Sequence, residues 1–215
     1  MITFASILFY HMNEHKSHWE KVYTDKQPHE VSWTQEVPQT SLNFIREFNL
    51  PKTASIIDIG GGDSKLVDFL LDDGYQNITV LDISEQALLR AQFRLGERAK
   101  QVTWIASDIL AFTPDKHYDL WHDRATFHFL TAEDQVKQYT SIAESWVTGF
   151  MTIGTFSHNG PQKCSGLEIK QYNEEELRQQ MLKGFTKIRC ITEDHTTPFE
   201  TKQNFLFCSF KANAN

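Results

Sequence analysis

From residue 55 onward, short apolar runs alternate with segments whose apolar side chains recur at helical spacing. The apolar runs have the length of buried strands and cover residues 55–59, 78–82, 102–106, 118–122 and 150–156. Between them the pattern predicts helices at 64–73, from 84 to about 95, from 131 to about 146 and from 173 to about 182. Regular alternation of this kind predicts an α/β fold with a doubly wound parallel sheet and helices on both faces.

The C-terminal end of the chain departs from this alternation. Extended runs at 185–194 and 205–211 follow one another without a helix between them. We therefore expect them to form an antiparallel pair at one edge of the sheet. The complete expectation is a Rossmann-like seven-stranded sheet, mostly parallel with an antiparallel edge strand.

The N-terminal segment precedes the first strand and has a helical pattern. An amphipathic helix is predicted at 15–23, then a loop containing Trp33, then a helix from Pro38 to about Phe48. This segment is interpreted as a helical lid, and the alternative is that it only packs over the sheet. We expect one domain over residues 1–215, with an N-terminal extension and lid at 1–50 and the core at 51–215.

The first residues form an apolar run from Ile2 to Tyr10 without a basic start or a small-residue cleavage site. The run is too short to span a bilayer. The first eleven residues are interpreted as a dispensable extension, with an anchor to a partner or membrane as the alternative.

Charge and cysteine content narrow the possible functions. The formal net charge of −7 disfavours nucleic acid as a partner, because binding to phosphates needs a basic surface. The three cysteines, Cys164, Cys190 and Cys208, lack the paired spacing of a disulfide framework or a cysteine zinc site. We expect a reducing, cytoplasmic compartment and no metal.

The most informative motif lies at the end of the first strand. The apolar run ends in Asp58, and three glycines, Gly60 to Gly62, follow before the next helix. Glycines there allow a sharp turn and let the backbone approach a ligand closely. The second strand also ends in an acid, Asp82, which is the usual place to hold a pair of ribose hydroxyls. The two strand ends predict a nucleoside site.

The details of the glycine turn distinguish between nucleoside ligands. A nicotinamide site favours a third glycine where this chain has Lys65, and the lysine and hydroxyl residue of a phosphate loop are absent. Asp58 would also repel a pyrophosphate. An acid before the turn suits a cationic ligand, such as a sulfonium that carries an amino group.

With these motifs in place, the chain resembles the class I S-adenosylmethionine-dependent methyltransferases over residues 55–156. The stretch Asp58-Ile59-Gly60-Gly61-Gly62 matches their acid-x-Gly-x-Gly turn, Asp82 their ribose-binding acid and Asp108 their adenine-contacting acid. The departures are Ser64, where many members have a third glycine, and Val147-Thr148-Gly149, where many have a Pro-Gly turn. The resemblance implies S-adenosyl-L-methionine as cofactor, held by Asp58, Gly60, Gly61, Gly62, Asp82, Ile83, Asp108 and Ile109.

More narrowly, the whole chain resembles small bacterial methyltransferases of mostly unassigned substrate. The segment from Trp121 to Leu130 is the richest of the similar pieces. Part of it, Asp123 to Phe127, is also similar to a motif that follows the fourth strand in seven-strand protein lysine methyltransferases. His128 stands where that motif has an acid, and this departure weakens the inference that the chain shares the lysine specificity of those enzymes.

Candidate catalytic residues come from this fourth strand and its loop. A base is needed only if the acceptor must lose a proton, and the candidates are His128, His122 and Asp123, in that order. Asp123 is also a candidate for cofactor binding, and Tyr23 and Trp33 are candidates to close over the methionine end. The structural alternatives are an Asp123–Arg124 ion pair that fixes the loop and a packed His128.

Several functions remain open at this point. A small-molecule acceptor is favoured, and a protein lysine methyltransferase is the runner-up. A non-catalytic cofactor-binding regulator and a nicotinamide-dependent oxidoreductase are the alternatives from other classes. The acceptor motif of enzymes that methylate nucleic-acid bases is absent after the fourth strand. The acceptor, the methylated atom and the oligomeric state are not indicated by the sequence.

Overall fold

The structure is a computed structural model that describes the backbone of residues 4–214 and the side chains of residues 14–214. The backbone of residues 4–11, interpreted above as part of a dispensable extension, belongs to the first helix. The side chains of these residues lie outside the described part of the structure. In chain order the elements are α1 (Phe4–Asp25), α2 (Gln39–Glu47), β1 (Ser55–Ile59), α3 (Leu66–Asp72), β2 (Asn77–Asp82), α4 (Glu85–Leu95), β3 (Val102–Ala106), β4 (Tyr118–Arg124), α5 (Glu133–Trp146), β5 (Val147–Phe156), β6 (Lys163–Cys164), β7 (Leu167–Glu168), α6 (Glu174–Met181), β8 (Phe185–Thr196) and β9 (Lys202–Ala212).

Within the described residues, seven strands form one twisted sheet in the order β3-β2-β1-β4-β5-β9-β8. The first five run parallel, β9 is antiparallel to β5, and β8 pairs antiparallel with β9 at the edge. The predicted mostly parallel seven-stranded sheet is confirmed, and its antiparallel strand is the one next to the edge. The short strands β6 and β7 form a separate hairpin.

Helices cover both faces because side chains along a strand point alternately to opposite sides. On one face α2, α3 and α4 pack on β1 and β2 through residues such as Leu42, Leu70 and Leu88. On the other face α5 and α6 pack on β4, β5 and β9, with Tyr139 and Leu177 fully buried. The carboxyl ends of β1 to β4 therefore lie at one edge between two helical layers, where ligands bind in such sheets.

Local signals in the sequence explain where the helices begin and end. The Ser84 hydroxyl accepts from the Ala87 backbone N–H and caps α4, which ends at Gly96. Asn173 and Glu176 form a capping box at the start of α6. The helix predicted from 131 begins at Glu133, and the residue before it is Ala132.

The cysteine spacing predicted no disulfide, and this prediction is wrong for one pair of cysteines. Cys190 on β8 and Cys208 on β9 face each other across the antiparallel pair and are joined in a disulfide, with a Cα–Cα distance of 4.1 Å. Their 18-residue separation carries no recognisable motif, and the strand register brings them together.

Candidate active site

A cavity of about 350 Å³ lies over the carboxyl ends of β1, β2, β3 and β4. Its floor is formed by the loops after these strands, and its roof by residues of α1 and the loop 26–37. We call α1 and this loop the lid. Sequence-predicted residues that line the cavity are Tyr23, Trp33, Asp58, Gly60, Gly61, Asp82, Ile83, Asp108, Ile109 and His122.

The glycine turn brings backbone close to the cavity in a way that other residues could not. Gly60 has a φ of +64°, and a Cβ there would lie 1.7 Å from Oγ1 of Thr126. Gly62 has a φ of +48°, and a Cβ there would lie 2.8 Å from the Tyr23 hydroxyl. Left-handed backbone and lack of space both require glycine at these positions. Gly60 and Gly61 thus present bare backbone to the cavity, whereas the predicted Gly62 is covered by the Tyr23 hydroxyl and does not line it.

Asp82 ends β2 and is almost completely buried. Its Oδ1 accepts a hydrogen bond of 2.8 Å from the Ser84 N–H, which fixes the carboxylate at the start of α4. Burial raises the pKa of Asp82 to about 7, opposed by the Ser84 hydrogen bond and assisted by the nearby acids Asp63 and Asp58. A buried carboxylate that accepts so few hydrogen bonds would be stabilised in its ionised form by hydroxyl donors such as those of a ribose.

The end of β3 supplies a second carboxylate to the cavity wall. Oδ1 of Asp108 accepts a hydrogen bond of 2.8 Å from the Leu110 N–H, which holds the loop in a tight turn. Ile83 and Ile109 flank the two acids with apolar surface. An apolar slot beside an acid suits a flat, polar-edged ring such as adenine.

Asp58 is not free at the end of β1, because it pairs with His122 on β4. The two residues are register neighbours, and Nδ1 of His122 lies 2.7 Å from Oδ1 of Asp58. Nε2 of the same ring lies 2.8 Å from the hydroxyl of Ser41 on α2. All three residues are buried and all three line the cavity. Sequence reasoning missed Ser41, because α2 lies far from this strand in the chain.

Asp123 does not face the cavity, which corrects the expectation that it binds cofactor or acts as a base. Side chains alternate along β4, so His122 points to the α2 face and Asp123 to the α5 face. The Asp123 carboxylate accepts from the Tyr139 hydroxyl at 2.8 Å and from the Thr126 and Phe127 N–H groups at 3.1 and 3.2 Å. Burial raises its pKa to about 6, against these hydrogen bonds. Asp123 shapes the loop after β4 through these hydrogen bonds, and it forms no ion pair with Arg124, which was the structural alternative.

His128 is also absent from the cavity wall, although it was the first candidate for a base. Its ring is fully buried and stacked on Phe156, with centroids 4.5 Å apart and planes 6° from parallel. Neither ring nitrogen has a hydrogen-bond partner. Burial and the nearby Arg124 lower the pKa of His128 to about 3. The ring is a neutral packing element, which was the structural alternative.

Replacing His128 with Phe is therefore expected to leave methyl transfer within about twofold of wild type and to raise the free energy of unfolding by about 1 kcal/mol, because two buried unpaired nitrogens are removed. Urea unfolding and the rate of S-adenosylhomocysteine release with a small-molecule cell extract measure the two effects. A folded variant that loses more than tenfold in rate would restore His128 as a catalytic residue.

The lid holds two predicted aromatic residues over the turn. Tyr23 is buried, and its ring lies 6.1 Å from that of Trp33. Trp19 also contacts Trp33 and reaches Phe129 of the loop after β4. Burial, with Asp82 and Asp63, raises the pKa of Tyr23, so its hydroxyl stays a neutral donor above the glycine turn.

Polar contacts fasten the lid to the core from several sides. The Glu20 carboxylate accepts from the Glu85 and Gln86 N–H groups at the start of α4, at 2.7 and 3.1 Å. On the lid loop, Glu36 pairs with Lys65, and Nε2 of His195 donates to the Ser32 carbonyl at 2.7 Å. The His195 side chain is buried. These contacts join residues distant in sequence and gave no local signal.

Arg124, at the end of β4, also lines the cavity. Its Nη1 donates to the Trp33 carbonyl at 3.0 Å, and its guanidinium lies 4.8 Å from the centre of the Phe205 ring. The side chain thus reaches from β4 across to β9. His158 pairs with Glu176 on the surface, and Cys164 lines the cavity as a buried thiol.

The described residues hold neither a metal site nor a membrane-spanning helix. Residues 14–214 contain no group of three His, Cys, Asp or Glu side chains placed to hold a metal ion. No helix in the described part of the chain has the length and apolar character to cross a membrane.

Comparison with known proteins identifies the fold and the core segment. Residues 56–149 match the family model of the methyltransferase domain. A mouse eEF1A lysine and N-terminal methyltransferase is 27% identical over 121 residues, which is 55% of this chain. The matched region is only 17% of the length of that relative.

Solved methyltransferase structures share the fold at low sequence identity. The Burkholderia thailandensis 1,6-didemethyltoxoflavin-N1-methyltransferase, solved with that compound and S-adenosylhomocysteine, has a TM-score of 0.67 at 18% identity and covers 98% of this chain and 89% of its own. The N-methyltransferase NodS from Bradyrhizobium japonicum WM9, with S-adenosyl-L-homocysteine, has a TM-score of 0.63 at 16% identity and covers 94% and 97%. A structure from work on thioacetal formation during echinomycin biosynthesis has a TM-score of 0.75 at 16% identity and covers 93% and 94%.

The strand order, the cavity at the carboxyl ends of the parallel strands and the match over 56–149 agree with one another. Residues 56–149 thus match a methyltransferase domain, and the fold is one shared with solved methyltransferases.

Proposed function

We propose that this protein transfers the methyl group of S-adenosylmethionine to a small molecule bound beside the cofactor under the lid. The observation that carries the proposal is one roofed cavity in which Asp82, Asp108 and the glycine turn line one part and Arg124, Phe129 and Cys164 another. The cofactor supplies an activated methyl group on a sulfonium. The protein must then hold and orient both partners and exclude water.

The residues present fit this cofactor. Asp82 would accept the ribose hydroxyls, while Ile83, Asp108 and Ile109 would hold the adenine. The bare backbone of Gly60 and Gly61 lines the cavity and would lie against the methionine part, while Gly62 packs against the Tyr23 hydroxyl. Trp33 would close the same end from the lid loop.

For acceptors that lose a proton, we assign the base to His122 acting through Ser41. The Ser41 hydroxyl lines the cavity and lies 2.8 Å from Nε2 of His122, while Asp58 holds Nδ1. A proton taken up at Nε2 would give an imidazolium that the Asp58 carboxylate stabilises. Asp123 and His128 have no part in this proposal, because neither lines the cavity.

A protein lysine acceptor is the second candidate, favoured by the similarity to the mouse eEF1A methyltransferase over 121 residues. The geometry around the lid supports a small acceptor instead. Glu20, Glu36 and the Ser32 carbonyl fasten the lid to three parts of the core, so a folded protein would have to displace it to reach the cavity. A non-catalytic cofactor-binding regulator would retain the cofactor site without transfer.

The test uses S-adenosylmethionine labelled in its methyl group, incubated with the protein and a cell extract divided into fractions below 1 kDa and above 10 kDa. We expect label to move into the small-molecule fraction, with Asp82→Asn as the matched blank. Label in protein bands would favour the lysine methyltransferase. Tight S-adenosylhomocysteine binding without transfer to either fraction would favour the regulator.

A cytoplasmic location, expected from the cysteine content, stays a proposal. The Cys190–Cys208 disulfide argues against it, because structural disulfides are rare in reducing compartments.

A further inference from the structure

Arg124 carries a hydrogen-bonding fork that nothing in the protein occupies. Its Nη1 is bonded to the Trp33 carbonyl, whereas Nε and Nη2 are buried from solvent and have no hydrogen-bond partner. Nε and Nη2 lie on the side of the guanidinium that binds carboxylates with two parallel hydrogen bonds. Burying a charged donor pair without partners is costly, so such an arrangement calls for an explanation.

The same fork is filled by a carboxylate at other arginines of this chain. Nε and Nη2 both donate to one carboxylate in the pairs Arg46–Asp73, Arg94–Asp68, Arg178–Glu175 and Arg189–Glu47. Those four carboxylates are supplied by the protein itself. The fork of Arg124 is equivalent in its atoms, but it is buried and lacks a carboxylate.

The position of Arg124 in the sheet separates it from the cofactor residues. Asp108, Asp82 and the glycine turn follow β3, β2 and β1, and β4 is the next strand across. From β4 the Arg124 side chain extends away from β1, since its guanidinium lies over Phe205 of β9. With strands about 4.8 Å apart, β9 is roughly 14 Å from β1. This is the side on which an acceptor would lie.

The surroundings of Arg124 also indicate the kind of ligand. Trp33 and Phe129 give the cavity flat aromatic walls near Arg124, and Cys164 adds a small buried thiol. Asp82 and Asp108 follow β2 and β3, which lie farther from β4. Asp58 lies on the neighbouring β1 and favours the Arg124 cation, but its carboxylate is paired with His122. Glu193 is the acid whose charge favours the Arg124 cation most, yet its carboxylate accepts from Thr40 and makes no hydrogen bond with the guanidinium.

We infer that Arg124 binds an oxyanion of the methyl acceptor, most simply a carboxylate, so that the acceptor is a small anionic compound with an apolar or aromatic body. This inference rests on the proposed function and names the substrate class of the same site. Nε and Nη2 provide the two hydrogen bonds, and Trp33 and Phe129 provide the apolar contact.

The first arm of the test is the stability of Arg124→Met without ligands. Met has similar length and removes the buried, unpaired charge, so we expect the melting temperature to stay unchanged or to rise. Arg178→Met, which loses an occupied surface fork, is the matched control. A fall of more than about 5 °C specific to Arg124→Met would show that the charge serves the fold, and it would overturn the inference.

The second arm measures ligand binding to protein saturated with S-adenosylhomocysteine. Benzoate, 4-hydroxybenzoate and indole-3-acetate are each compared with the corresponding neutral amide by calorimetry. We expect at least one acid to bind about tenfold or more tightly than its amide in wild type, and Arg124→Met to remove that preference. If no acid in the panel binds wild type more tightly than its amide does, the inference is contradicted.

The third arm separates the acceptor from the cofactor, which has a carboxylate of its own. S-adenosylhomocysteine and 5′-methylthioadenosine share the nucleoside and the sulfur, but only the first has a carboxylate. We expect Arg124→Met to bind both compounds as wild type does. That result would show that the cofactor site is intact in the variant, whatever the comparison of acids and amides shows. Selective loss of S-adenosylhomocysteine binding would assign Arg124 to the cofactor and overturn the inference.

Discussion

Asp82→Asn is expected to weaken S-adenosylhomocysteine binding by about 100-fold at pH 8. The amide keeps the shape of the carboxylate but loses its charge and one of two acceptor oxygens, and charge-assisted hydrogen bonds contribute about 1.5–3 kcal/mol each. A loss of about 3 kcal/mol corresponds to about 100-fold in affinity. Isothermal titration calorimetry measures it directly.

The matched control is Asp194→Asn, which makes the same change at a surface carboxylate of β8 paired with Asn204 and Lys202. We expect this variant to bind S-adenosylhomocysteine as wild type does. If Asp82→Asn binds within threefold of wild type, Asp82 is not a ligand of the ribose.

The raised pKa of Asp82 makes cofactor binding depend on pH. Burial holds its pKa at about 7 in the unliganded fold, against an ordinary value of 3.8. The folded state therefore disfavours the ionised form, and this cost is absent below about pH 4 and complete above about pH 7. Hydroxyl donors favour the ionised form, so affinity should fall as the pH drops below 7. The dependence should be flat in Asp82→Asn, whose unliganded form should also melt at a higher temperature at pH 8.

Gly60→Ala is expected to destabilise the fold by about 3 kcal/mol and to abolish measurable cofactor binding. The backbone at φ +64° costs an alanine about 1–2 kcal/mol. The new Cβ would also lie 1.7 Å from Oγ1 and 3.0 Å from Cβ of Thr126, so the loop after β4 must move. Urea unfolding and calorimetry with S-adenosylhomocysteine measure the two effects.

Gly74 provides a matched control for the backbone strain alone. It has a φ of +86°, and a Cβ there meets nothing within 4 Å. Gly74→Ala should cost about 1 kcal/mol and leave cofactor binding unchanged. Adding Thr126→Ala to Gly60→Ala should recover part of the lost stability. Equal destabilisation by the two glycine variants would show that Thr126 does not restrict the turn.

The parts of the site that lie at strand ends could be predicted from the sequence. An apolar run that ends in an acid marks both a buried strand and the edge where ligands bind, so Asp58 and Asp82 could be placed together without a structure. Asp108 was indicated by the family resemblance. The three side chains line one cavity with Gly60 and Gly61.

The direction of the polar side chains at the end of β4 follows from strand alternation, which a pattern of titratable groups does not show. His122 and Asp123 are adjacent in a strand, so they point to opposite faces and cannot both face the cavity. Leu120 packs on the α2 face and Trp121 on the α5 face, which indicates the direction of both polar residues. His128 lies in a short helical turn whose burial depends on Phe156, and its own sequence context does not show this.

Contacts between distant segments had no signal in a single sequence. Ser41 meets His122, Glu20 caps α4 and His195 holds Ser32 across separations of 64 to 163 residues. The Cys190–Cys208 bridge depends on the register of β8 and β9. Each of these requires the three-dimensional arrangement, because no residue spacing specifies which side chains will meet.

The most direct test of the account is a crystal structure of the protein with S-adenosylhomocysteine. We expect both ribose hydroxyls within hydrogen-bonding distance of the Asp82 carboxylate, the adenine between Ile83 and Ile109 beside Asp108, and the sulfur directed toward the Arg124 side of the cavity. Ligand bound elsewhere, or bound in this cavity with its ribose away from Asp82, would contradict the account.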